Sequence, residues 1–203
     1  MKARGALLGP FVLRTLLLLA PCLAVWHYSA PYHAIVAGEV ARVMVNIPNP
    51  GMVSAIEQSG VDLAFVTTIA VPSASGQTGV LVPDVNPLLY TYGLAFFLAL
   101  MLAAHARWWT IPAGIAMLLP FQSWGIAFDF LAQVGIKLGP EVAARAGLSG
   151  WRVEAIALGY QVGALILPSL MPVLFWALLN RPFIMGLWHR HETRHAESIP
   201  APP

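Results

Sequence analysis

Apolar residues run along this chain in four long stretches, roughly Gly9 to Ser29, Pro87 to His105, Trp108 to Leu131 and Ala155 to Leu179. A helix crossing a hydrocarbon core of about 30 Å needs about 20 apolar residues at ~1.5 Å each, and each stretch approaches or exceeds that length. The second and third are separated only by a tight turn around Ala106-Arg107 and read as a helical hairpin. Between the first and second the pattern changes. Pro31 to Val45 mixes apolar and polar residues, which predicts a short helix lying along the membrane surface, ended by Asn46-Ile-Pro-Asn-Pro-Gly51. From Val61 to Val71 apolar residues recur at every second position (Val61, Leu63, Phe65, Ile69, Val71), with Thr67 the one exception. That is the period of a half-buried strand. Pro72 to Gly79 supplies a loop and Val80 to Val85 a return strand. Because a two-stranded hairpin is marginal alone in water, it is expected to pack on the membrane helices or on a partner.

The pattern therefore predicts an all-α polytopic membrane protein with about four transmembrane helices and a small extracytoplasmic β-hairpin segment. Residues 1–30 form the N-terminal transmembrane helix and 31–86 the extracytoplasmic segment. Residues 87–183 form a three-helix membrane region with a short outer loop at 137–153, and 184–203 a cytoplasmic tail expected to be disordered. The two halves match neither in length nor in helix interruptions, which counts against an inverted-repeat transporter. Composition strengthens the membrane reading: 58% of residues are apolar and 10% charged, against about 25% charged in soluble domains. A net charge of +2 without a Lys/Arg run argues against nucleic acid. One cysteine excludes an internal disulfide and a Cys-rich metal site.

Lys2 and Arg4 precede the apolar run from Gly5 to Trp26, as in a signal peptide. Pro21 stands where a lipoprotein cleavage box before Cys22 would need Gly or Ala, and apolar sequence continues beyond. An uncleaved anchor is expected. With both termini inside, that side holds Lys2, Arg4, Arg14, Arg107, Arg181, Arg190 and Arg194, and the other Arg42, Lys137, Arg145 and Arg152. The bias favours N-in and C-in.

Asp129 is the one acid within an expected span, and intramembrane acids are functional suspects. It lies about 30 Å from the inner start of its helix, so a carboxylate at the outer interface, solvated by headgroups or paired with a neighbour such as Lys137 or Arg152, is the plainer alternative. Gln122, Asp129 and Gln133 share a helical face, with Lys137 four residues further on. Gln161 enters the membrane to a depth similar to Gln122, and the two amides are expected to bridge their helices. Asn86 is placed to cap the second span with Pro87 at its first position, and Tyr90 and Tyr92 are expected at the outer headgroups. Trp26, His27, Tyr28, Tyr32 and His33 resemble an interfacial belt. A catalytic thiol at Cys22 would need a base or cation. His27 is about 140° around the helix from it, so an inert buried cysteine is expected. His189, His191 and His195 could bind nickel or zinc loosely, but a solvated tail is the default reading, so no metal or cofactor is assigned.

Three runs resemble the exosortase H-associated membrane proteins: Val85-Asn-Pro-Leu-Leu-Tyr-Thr-Tyr-Gly-Leu94, Leu119-Pro-Phe-Gln-Ser-Trp-Gly-Ile-Ala-Phe-Asp-Phe-Leu131, and Ile156-Ala-Leu-Gly-Tyr-Gln-Val-Gly163. Ile166-Leu-Pro168 and Leu179-Asn-Arg181 follow in the same order, so the similarity runs from about Val12 to Phe183. The resemblance implies an accessory of a bacterial inner-membrane sorting system. There a multi-spanning cysteine transpeptidase, the exosortase, processes proteins with a C-terminal tripartite signal. It carries no catalytic residue onto this chain, and the sequence has no Cys–Arg–His set placed like a sortase centre. A partner of the sortase or of its substrates is therefore expected, with Gln122, Asp129, Gln133, Gln161, Asn86 and Tyr90 as interaction candidates. Two alternatives stand beside it: a cysteine transpeptidase or hydrolase using Cys22, and a small transporter or lipid-binding protein with an outward cleft at Gln122, Asp129 and Gln161.

Overall fold

Helix α1 runs without a break from Gly5 to Asn46, across three internal prolines at 10, 21 and 31, in a computed structural model that describes residues 5–72 and 78–185. At ~1.5 Å per residue its 42 residues extend about 63 Å, far more than one membrane crossing. The separate surface helix expected over Pro31 to Val45 is thus the upper half of the first helix. The reason is a stripe of small residues. Ala30, Ala34, Ala37, Ala41 and Val45 recur at helical spacing and are almost fully buried. A helix lying on the membrane would turn that stripe into lipid; here protein covers it.

The cover is a three-stranded antiparallel sheet, ordered β1 (Val53–Ser59), β2 (Asp62–Thr67) and β5 (Asp84–Val85), with a second pair, β3 (Ala70–Pro72) and β4 (Thr78–Val80). The expected hairpin is present in divided form. Its first strand breaks at Thr68–Ile69, while Phe65 N–H to Pro83 O and Thr67 N–H to Leu81 O keep the return strand in register. Thr67, the exception in the alternation, holds its place as a buried residue. Its hydroxyl donates to Leu81 O at 2.7 Å and accepts from Ile69 N–H at 3.2 Å, so its polar atom is satisfied at no loss of register. Strand β1 was not anticipated, because its mostly exposed face shows no alternation. It turns into β2 at Gly60, whose φ of 65° suits glycine.

Leu63, Phe65 and Val85 of the sheet share one core with Ala37, Ala41 and Val45 of α1 and with Ile126 and Phe130 further along the chain. Phe65 and Phe130 stack with centroids 4.8 Å apart. Gly38 leaves the space that Leu63 fills, since a Cβ there would stand 2.5 Å from Leu63 Cδ1.

After the sheet the chain returns along α1 through α2 (Leu88–Thr91) and α3 (Gly93–Ala103). Trp26 Nε1 donates to Thr91 Oγ1 at 3.3 Å, Cys22 packs on Ala95 and Ala99, and Arg14 meets His105 at 3.0 Å. This helical stretch, expected as a full span from Pro87 to His105, is interrupted at Tyr92. From Leu88 to Ala103 it rises only about 24 Å. Among the described residues, three helices have the length and apolarity to cross a membrane: Gly9–Asn46, Thr110–Lys137 and Trp151–Leu179.

Helix α4 (Thr110–Ala132) runs back to the sheet and ends in a π turn, Gln133–Lys137. Helix α5 (Pro140–Arg145) follows. Helix α6 (Trp151–Gln161) continues through a second π turn, Val162–Ile166, into α7 (Leu167–Leu179). The tail histidines lie outside the described residues.

Candidate functional site

Polar side chains gather where α4 meets the sheet. Asp129 is buried, yet Lys137 reaches back from the π turn to place Nζ 2.9 Å from its Oδ1. A regular helix would set positions eight apart more than two turns from each other; the extra residue of the π turn and the long lysine stem together allow the contact. The same ammonium lies 4.8 Å from the ring centroid of Tyr160, at cation–π distance. The Tyr90 phenol faces both Asp129 and Tyr160. Gln133 donates from Nε2 to Asp84 O at 2.8 Å, tying α4 to the edge of the sheet. Asp129 is therefore an ion-paired carboxylate, as one of the two alternatives expected, and the cluster is built to hold helices and sheet together.

Two expectations are corrected here. Tyr90 is not at the headgroups but 2% exposed, because Gly125 of α4 leaves room for its ring. A Cβ on Gly125 would come within 2.4 Å of Tyr90 Cδ1. Tyr92, 41% exposed, keeps the surface position. The Gln122–Gln161 bridge is absent: Gln122 Oε1 instead meets His33 Nε2 at 2.7 Å, and Gln161 is exposed. The cause lies in the helix spacing. Gly159 and Gly163 occupy the side of α6 that touches α4, against Phe128 and Gly125. Gln161, midway between them, stands about 200° around from each.

Replacing Gln122 with leucine should accordingly lower the stability of the protein in detergent by about 1 kcal/mol, whereas Gln161→Leu should leave the melting curve unchanged. Equal effects of the two substitutions would refute this pairing.

Asn86 accepts the Leu88 N–H on its Oδ1 at 3.0 Å, two positions ahead of the first residue of α2; Pro87, expected as the first helical residue, stands at the cap position instead. The sequence placed His33 in the interfacial belt, where it is instead the partner of Gln122, and gave no sign of Tyr160. The signal for His33 was its position beside the buried alanine stripe of α1 rather than among the exposed Tyr28 and Tyr32. Cys22 is buried against alanines.

All of these residues lie within positions 6–183, which match the family model of the exosortase H-associated membrane protein. The chain belongs to that family. No curated protein and no solved structure matches it. In this exosortase H-associated membrane protein the matched region takes in the three long apolar helices almost completely, the whole described sheet and the polar cluster that joins them.

Proposed function

We propose that this chain is a non-enzymatic accessory of an exosortase-type sorting system. It sits in the bacterial inner membrane and offers its sheet end, on the periplasmic side, to the sortase or to substrates bearing the C-terminal signal. Family membership across residues 6–183 carries the reading. The build of the sheet end supports it. Packed on α1 where Leu63 fills the space at Gly38, and held to the α4 helix by the Phe65–Phe130 stack and the Gln133–Asp84 hydrogen bond, it forms a fixed platform, and rigid surfaces bind without the entropy of ordering a loop.

The orientation follows from charge and aromatic residues. Arg14, Arg107 and Arg181 belong to the end opposite the sheet, where Trp108 is 82% exposed. Tyr28 and Tyr32 are exposed beneath the sheet. From Arg14 to Tyr32 is about 27 Å of helix, close to one hydrocarbon thickness, with an aromatic belt at each boundary. Helices α2 and α3 then serve as the fourth, short crossing. An affinity-tagged chain, purified after crosslinking in native membranes, is expected to retain the sortase or a signal-bearing substrate. Recovery of neither, together with normal sorting in a deletion strain, would overturn the proposal.

A further inference from the structure

Beyond the polar cluster lies a groove of about 710 Å³, within the size range of ligand pockets. Its walls are the turn that follows α1 around Asn49 and Met52, the break between β2 and β3 at Thr68 to Ala70, and the α5–α6 connection. Two arginines, Arg145 and Arg152, are the charged residues of the lining. Arg145 Nη1 donates to Ala70 O at 3.0 Å, and Arg152 donates to Gly147 O at 3.0 Å and to Asn49 Oδ1. Every one of these acceptors is neutral. Among the described residues, the ion pairs are Arg42–Glu39 and Lys137–Asp129, so neither groove arginine has a carboxylate partner. A guanidinium carries five N–H donors in a rigid fork suited to a carboxylate or phosphate. Both forks are oriented by contacts that leave most of their donors uncommitted. Neutral acceptors fix the cations in place without cancelling their charge.

The height of the groove selects between anions. Arg152 precedes Arg181 by about 43 Å of helix. With Arg181 at the inner edge of a ~30 Å core, in a bilayer of about 40–45 Å including headgroups, the groove opens at or above the outer limit of the headgroups. Lipid phosphates lie below it.

We infer that this groove binds an extended peptide segment bearing carboxylates. Arg145 and Arg152 pair with two acidic side chains, and Met52 and Ile69 take up an apolar side chain between them. The choice of a peptide over a lipid headgroup rests on the orientation proposed above, but the binding of an anion by the two arginines does not.

The test uses the full chain in neutral detergent and a rhodamine-labelled peptide, Ala-Glu-Val-Glu-Ala, followed by fluorescence anisotropy at low salt. Saturable binding is expected, at least tenfold weaker for the Gln-for-Glu peptide and for Arg145→Gln or Arg152→Gln. Because those arginines also tie the walls together, Ala70→Trp is included. It fills the groove, keeps both arginines and should abolish binding at an unchanged melting temperature. Equal binding of the two peptides, or full binding by Ala70→Trp, would overturn the inference. So would competition by short-chain phosphatidylglycerol as strong as that by unlabelled peptide, which would make this a headgroup site. Sortase retained without peptide binding removes this inference alone; peptide binding with neither sortase nor substrate retained removes the accessory role alone.

Discussion

Replacing Gly163 with valine is expected to lower the melting temperature in detergent by several degrees, corresponding to about 1–3 kcal/mol of overpacking strain or more. A Cβ at this position would stand 2.9 Å from the Cα of Gly125 and 3.3 Å from Trp124 Cδ1. The first of these is backbone and cannot swing aside. Gly159, one turn away, leaves its own space for Phe128, and Trp124 Nε1 donates to its carbonyl at 3.1 Å. The pair Gly159 and Gly163 is thus a small-xxx-small contact. Such contacts matter more within lipid, where helices gain little by hiding apolar surface from one another and depend on close packing instead. Gly9→Val supplies the control, since nothing lies within 4 Å of a Cβ there. Equal melting shifts for the two variants would show that the α4–α6 contact is looser than described.

The second large effect is an asymmetry within one ion pair. Asp129 has a side chain 8% exposed, whereas that of Lys137 is 50% exposed. Removing the carboxylate (Asp129→Asn) lets the lysine turn to solvent, and the buried amide keeps polar company in Tyr90. Removing the lysine (Lys137→Met) strands a buried carboxylate without a cation. Loss of a charged hydrogen bond from such a group costs about 1.5–3 kcal/mol. Lys137→Met should therefore destabilise well beyond Asp129→Asn, and the double variant should regain most of the difference. Chemical-denaturation midpoints of all three in the same detergent provide the measurement. Equal losses from both single variants, simply adding in the double, would mean that the carboxylate is not buried as described.

The legibility of this chain in its sequence was uneven for physical reasons. Membrane helices announce themselves by apolar length alone, so α1, α4 and the α6–α7 helix were visible, as was the alternation at Leu63, Phe65 and Ile69. The upper half of α1 was misread because its alanine stripe is weakly hydrophobic. What makes it a packing face is the sheet laid against it, a long-range fact. Tyr90 was assigned to the surface by its residue type, yet the cavity that buries it is made by a glycine 35 positions away. The Gln122–Gln161 expectation compared depths and overlooked rotation about the helix, which two glycines decide. For Asp129 the sequence left headgroup solvation, Lys137 and Arg152 open, because a charge near lipid restricts its choices to a few neighbours without choosing among them; the π turn decides for Lys137.

The unbroken length of α1 has a mechanical consequence. In the orientation proposed above, a single rod that crosses the bilayer and ends at Asn46 makes the position of the sheet answer to the membrane. A tilt of about ten degrees at its foot would carry the far end of a ~63 Å helix sideways by about 11 Å. Helices adjust their tilt to the thickness of the lipid around them. Local bilayer thickness thus becomes a setting for how high, and at what angle, the platform stands.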